Sequence, residues 1–100
     1  MEVQMSDIYL AYEDDIIKYC MEKYDGDWYL HCDLKSKCKS AIIHSCAVFK
    51  HLSDECINRG VGKIYAYTPS IHFAELNGFK LLRRFEFEGK EWGHMLWQQG

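Results

Sequence analysis

The long stretch from Lys39 to Arg59 lies between two short segments that read as strands, and this arrangement limits the fold more than any other feature of the chain. Ile42, Cys46 and Phe49, with Val48 and Leu52 beside them, recur at helical spacing as an apolar stripe, and Gly60 supplies the C-terminal cap. Ahead of the helix, Trp28 to Asp33 alternates Trp28, Leu30 and Cys32 with Tyr29, His31 and Asp33, the period of a strand. Behind it, Lys63 to Thr68 reads KIYAYT, a second strand broken by Pro69. Strands joined through a helix pair in parallel with a right-handed crossover, so a mixed or parallel sheet is expected at the centre of the molecule.

The remaining segments attach to that unit. Ser70 to Asn77 predicts a short helix closed by Gly78, and Lys80 to Phe87 with Glu91 to Trp97 predicts two strands joined at Glu88-Gly89-Lys90 as an antiparallel hairpin. Near the N-terminus, Ile8 to Tyr12 predicts a strand. Glu13 to Tyr24 predicts a helix, with Ile16, Ile17, Cys20, Met21 and Tyr24 on one face and Glu13, Asp14 and Asp15 at its positive end. Asp25-Gly26-Asp27 ends that element with turn residues. The expected class is α+β. No repeat, linker or low-complexity tract divides the chain, so residues 1–100 are expected to form one domain.

Composition narrows the function. A formal charge of −3 gives no general attraction for nucleic acid, which disfavours it as a partner. Five cysteines, Cys20, Cys32, Cys38, Cys46 and Cys56, show no C-x-x-C spacing and read as reduced thiols of a cytoplasmic protein. No basic segment followed by a long apolar run opens the chain, and no stretch approaches membrane-spanning length, so neither a secretory signal nor a membrane partner is expected. His44 and Cys46 sit two apart on a helix and face different directions, so with His31, Cys32 and Cys38 they make no expected metal site.

Lys35, Lys37 and Lys39 crowd the start of a helix whose dipole already makes that end positive. A compensating anion would account for them. Backbone N–H groups, dipole and ammonium groups together make a phosphate cradle, while the alternative is a solvated basic loop.

Trp28 to Arg59 resembles the unit of the GNAT N-acetyltransferase superfamily in which a strand enters a loop of the type Q/R-x-x-G-x-G/A and then a long amphipathic helix. KIYAYTPS followed by HFAELNGFKLLRRFEFEGKEWGHMLW resembles the rest of that family's C-terminal half, including Gly78-Phe79 at the entry to a strand, and looks like small GNAT-like proteins of tailed phages. The resemblance covers residues 28–97 and implies an abbreviated GNAT-like mixed sheet, with a non-standard N-terminal part over residues 1–26. It also implies acetyl-CoA as cofactor, with its pyrophosphate at Lys35, Lys37, Cys38, Lys39, Ser40 and Ala41. Cys38 and Ser40 stand where the family has small residues. Ala74 stands where it often has a tyrosine acid.

On that alignment His31, Asp33 and Tyr67, together with Tyr65, flank the acetyl site, and His31 or Asp33 would take a proton from the substrate amine. The implied activity is N-acetylation of a protein or small-molecule amine. The alternative is a non-catalytic GNAT-like module that binds a protein partner, in the host cytoplasm if the source is a phage. Missing N-terminal strands leave an uncovered sheet, from which a homodimer is expected, with Trp92, Met95 and Trp97 of the hairpin as its contact.

Overall fold

The computed structural model describes residues 7–100. The N-terminal residues 1–6, part of the segment read above for a secretory signal, lie outside the described residues. Six strands and two helices follow one another as β1 (Asp7–Glu13), β2 (Ile17–Tyr24), β3 (Asp27–Leu34), α1 (Lys39–Asn58), β4 (Lys63–Thr68), α2 (Ile71–Leu76), β5 (Lys80–Phe87) and β6 (Lys90–Gln98). The strands form one mixed sheet in the order β1-β2-β3-β4-β6-β5. Only β3 and β4 pair in parallel, and β5 and β6 close the chain as an antiparallel hairpin. Fold class, parallel unit and final hairpin agree with the sequence.

The segment from Glu13 to Tyr24 does not form the helix its sequence predicts; its greater part is the strand β2. The acidic run is a turn: the Asp14 carboxylate accepts hydrogen bonds from the N–H groups of Ile16 at 2.8 Å and Ile17 at 2.9 Å, which reverses the chain in an Asx-type turn. Beyond it Ile17, Tyr19 and Met21 are buried in strict alternation, a period of two that buries Tyr19 as no helical face would. The β2–β3 hairpin then turns at Asp25 (φ 51°) and Gly26 (φ 84°), and the β5–β6 hairpin at Glu88 (φ 51°) and Gly89 (φ 75°). Positive φ at both central residues matches the right-handed twist of the flanking strands.

Helix α1 packs on the sheet along Ala41, Ser45, Phe49, Ser53 and Cys56, rather than along Ile42 and Cys46, which are only partly buried. The Ser45 hydroxyl donates to the Ala41 carbonyl at 2.8 Å, so its burial leaves no unpaired donor. Phe49 packs its ring at a tilt against Tyr19 and Phe79 and edge-to-face against Trp97, with centroids 6.0, 5.3 and 6.2 Å away, at the middle of a core that includes Ile17, Met21, Leu30, Ile64, Ala66 and Met95. Met95 is therefore fully buried inside the domain, which removes it from the surface contact the hairpin suggested, while Trp97 packs on that core and stays partly exposed.

Helix α2 lies on the same face of the sheet. A side-chain carbon placed on Gly93 would approach Ile71 of α2 to 2.7 Å, so the glycine permits that seat. The opposite face carries no helix among the described residues. Register pairs trace it across the strands: Leu10 opposite Cys20, Glu22 opposite Tyr29, Tyr29 opposite Tyr65, Tyr67 opposite His94, and Phe85 opposite Trp92.

Candidate functional site

Strands β3 and β4 touch at a single register pair, Tyr29 with Tyr65, and part beyond it. The wedge between their C-terminal ends opens into a cleft of about 270 Å³. Tyr19, Leu30 and Cys32 line one side, Ala66, Tyr67, Thr68 and Pro69 the other, and Phe73, Ala74 and Asn77 of the α2 segment, with Phe79, close the end. The topology explains the location: the crossover through α1 links the two strands, β2 and β6 occupy their outer edges, and the inner edges are left to face the cleft.

The floor is rigid and largely apolar. Tyr19 is 1% exposed, and its hydroxyl donates to the Ser45 carbonyl at 2.9 Å, tying the cleft to α1. Burial raises its pKa well above the usual phenol value, so the hydroxyl stays protonated. Desolvation, aided by the Asp33 carboxylate, pushes the Cys32 thiol up to about 12, although the residue keeps an exposed portion; the sulfur lines the cleft as an inert thiol. Asn77 donates to the Phe73 carbonyl at 3.1 Å while its Oδ1 is enclosed with no hydrogen-bond partner in the structure. A buried acceptor of that kind is an open position for a donor on a ligand.

Of the residues expected to act on a substrate, His31 and Tyr67 line the cleft and Asp33 does not. His31 lies exposed with its Nε2 2.7 Å from Glu22 Oε1. Tyr67 is sandwiched between Tyr29 (5.7 Å, 8°) and His94 (4.6 Å, 15°). Asp33 is exposed and stands opposite Lys18 in the β2–β3 register. Ala74, where an acid was sought, is buried at the end of the cleft.

The residues of the lysine loop lie outside the cleft lining. Lys35 is engaged: its ammonium donates to the Glu13 carboxylate at 3.0 Å and the Asp14 carbonyl at 2.8 Å, clamping the loop to the β1–β2 turn. Lys37 and Lys39 are exposed, Ser40 is exposed, and Ala41 is buried under the helix. Cys38 takes the N-cap position of α1 with an extended backbone. Its thiol is lowered to about 7, chiefly by the Ser36 hydroxyl and then that of Ser40, each 3.4 Å from the sulfur. The N–H groups of Ala41 and Ser40 add to this electrostatically without completing a capping hydrogen bond.

A second anchor of the helix start went unread in the sequence. His44 Nε2 lies 2.6 Å from Asp14 Oδ2, and the same carboxylate accepts from the Tyr12 hydroxyl at 2.7 Å. The Tyr12 bond first, then His44 and the N–H groups of Ile17 and Ile16, hold the Asp14 carboxyl well below the ordinary carboxylate range. Its only sequence signal was an aspartate two residues before Ile16. No group of three or more His, Cys, Asp or Glu residues among the described residues is placed to hold a metal ion. No helix among them is long and apolar enough to cross a membrane.

Comparison of the chain with protein-family models, with curated proteins and with solved structures yields no match.

Proposed function

We propose that the chain is a GNAT-like N-acetyltransferase that takes acetyl-CoA into the wedge between β3 and β4 and acetylates a primary amine of a protein or small molecule. The observation that carries this reading is the single-point pairing of the parallel strands, with a cleft at their C-terminal ends where open α/β sheets hold ligands. The residues present suit the cofactor's thioester arm. Past Tyr29 and Tyr65 the facing strand edges lack each other as partners, Asn77 Oδ1 awaits a donor, and an amide-bearing chain in an apolar slot supplies what both lack. Exposed Lys37 and Lys39 at the start of α1 suit its phosphates.

When bound, acetyl-CoA supplies a thioester whose acetyl group passes to the amine, the C–S bond breaking as the C–N bond forms and the proton ending on the departing thiol. His31 accepts the amine proton: with Nε2–H donated to Glu22, Nδ1 is the free acceptor, and the carboxylate stabilises the imidazolium that forms. Tyr67, held between two rings, orients the acceptor at the cleft mouth. A second reading, a protein-binding module without catalysis, is favoured by Ala74 at the end of the cleft, where no side chain can protonate a leaving thiolate.

Thermal denaturation in acetyl-CoA, followed by a thiol-release assay with amine acceptors, tests both. At one hundred times Kd, binding adds about 2.7 kcal/mol to stability. A shift together with thiol release that falls in His31→Ala supports the transferase. A shift without release in any acceptor supports the binding module. Absence of a shift at millimolar acetyl-CoA refutes the cofactor reading.

A further inference from the structure

The face of the sheet opposite the helices has no cover among the described residues, yet a band of aromatic side chains crosses it between charged ones. Tyr29, Tyr65, Tyr67, His94 and Phe85 run across it through register pairs or ring contacts, and Leu10, paired with Cys20, lies on its β1 side, with Leu10 60% and Tyr67 49% exposed. At its centre Tyr29, Tyr67 and His94 stack in a column, and Tyr65 leans on Tyr29 and His94. His94 Nε2 is enclosed there with no hydrogen-bond partner in the structure. The lysine loop does not use this surface, and the cleft shares Tyr67, His31 and Trp92 with it.

The geometry points to a second copy of this chain as its cover, the two sheets packing face to face about a two-fold axis that runs along the strands between β3 and β4. Area and charge both favour that occupant. Six strands at about 4.8 Å spacing and seven or eight residues at about 3.3 Å give a face of roughly 700 Å², close to the roughly 800 Å² per partner of a standard stable interface. The β5–β6 half carries Arg83 and Lys90, while the β2–β3 half carries Glu22 and Asp33 beside Lys18. An axis along the strands reverses strand order between the copies, so the cationic half of each lies over the acidic half of the other. An axis across the strands would instead set Arg83 over Arg83 and is disfavoured.

Sheets packed this way stand about 10 Å apart with interdigitating side chains. The tyrosine column then becomes the buried centre, the residue type and place that dominate interface energetics. A tyrosine hydroxyl from the facing copy is the natural donor for His94 Nε2. Pairing covers Tyr67 and His31 on this face, while the side of the cleft under α2, at Phe73, Ala74 and Asn77, stays open. The inference rests on no step of acetyl transfer; because His31 lies on the covered face, acetylation through it belongs to the monomer.

Sedimentation equilibrium over about 1–100 µM protein is expected to show a monomer–dimer equilibrium. Leu10→Arg, on the β1 side of the face and near Arg83 of the facing copy, is expected to raise the dissociation constant at least about tenfold. Adding Arg83→Glu in the same chain is expected to restore the dimer. Circular dichroism verifies the fold of each variant, and if Leu10→Arg unfolds the edge strand, Tyr67→Arg replaces it as the disrupting change. A monomer at every concentration overturns the proposal, as does a dimer indifferent to these substitutions. Weakening that Arg83→Glu fails to reverse overturns the reversed strand order.

Discussion

Gly93→Ala probes how α2 is seated and, through it, the end wall of the cleft. The added carbon would stand 2.7 Å from Ile71 Cγ1, 3.0 Å from Leu81 Cδ1 and 3.0 Å from Met95 Sδ. Leu81 Cδ1 is a chain end and can swing away. Ile71 Cγ1 is attached to a β-branched carbon with restricted χ1, so relieving that contact means moving α2 itself outward. Met95 is fully buried and has no free space to retreat into. Overpacking of this kind costs ~1–3 kcal/mol, offset by up to ~1 kcal/mol because alanine has less freedom to lose on folding. The net loss of ~1–2 kcal/mol should lower Tm by about 5–15 °C in a domain of this size. Gly62→Ala is the matched control: its added carbon meets only Gln99 Oε1 at 3.7 Å, and its φ is not positive. The assay is differential scanning calorimetry of both variants beside the parent. Equal Tm values for the two variants would refute the steric argument and with it the close seating of α2 on β6.

Two titrations bear on the start of α1. Iodoacetamide labelling followed by mass spectrometry should show Cys38 reacting half-maximally near its value of about 7, while Cys32, pushed up to about 12, stays unlabelled across the neutral range; equal labelling of both would contradict the hydroxyl contacts at Cys38. Asp14 has its folded pKa lowered, so the native state holds that proton less readily than the unfolded chain, and the stabilisation it gives is complete above the ordinary carboxylate range and lost as pH falls through and below it. Asp14→Asn should therefore lower Tm near neutral pH and flatten the acid limb of a Tm–pH profile between about pH 6 and 2, and a parallel, unflattened curve would sink the assignment.

Much of the architecture was legible because it rests on local patterns that packing reinforces. The alternation of Trp28 to Asp33, the long apolar helix and KIYAYT each retained their character, and the parallel pairing followed from their order. The failure at Glu13 to Tyr24 has a definite cause. Ile16, Ile17, Cys20, Met21 and Tyr24 fit a helical period, but Ile17, Tyr19 and Met21 fit a strand equally well, and Tyr19 was left off the apolar count. Short segments with aromatics on both candidate faces carry both periods at once, and the sheet decided between them. The acidic run misled for a related reason: aspartate before two isoleucines caps a helix or closes an Asx turn with the same carboxylate-to-amide bond.

The site divides along the same line. His31 and Tyr67 both reach the cleft because strand alternation and element order place the ends of β3 and β4 side by side. Tyr19 and Asn77 went unread, because their contribution comes from a β2 that was read as helix and from the far end of α2, and neither adjacency exists in the linear order. Lys35 differs from Lys37 and Lys39 in having partners. Charge counting treats every lysine at a helix start as available, yet its ammonium is spoken for by Glu13 and the Asp14 carbonyl across the β1–β2 turn. The same turn holds the helix through His44, so Asp14 and its neighbours serve as a latch on the first turns of α1 rather than as part of an anion site. What remains to meet an anion is Lys37 and Lys39, two exposed cations instead of three, beside a thiol that shares the helix terminus with them. An anion bound there must therefore displace or accommodate the Cys38 sulfur, so Cys38→Ala should strengthen coenzyme A binding if the pyrophosphate reaches α1, and leave it unchanged if the cleft alone holds the cofactor.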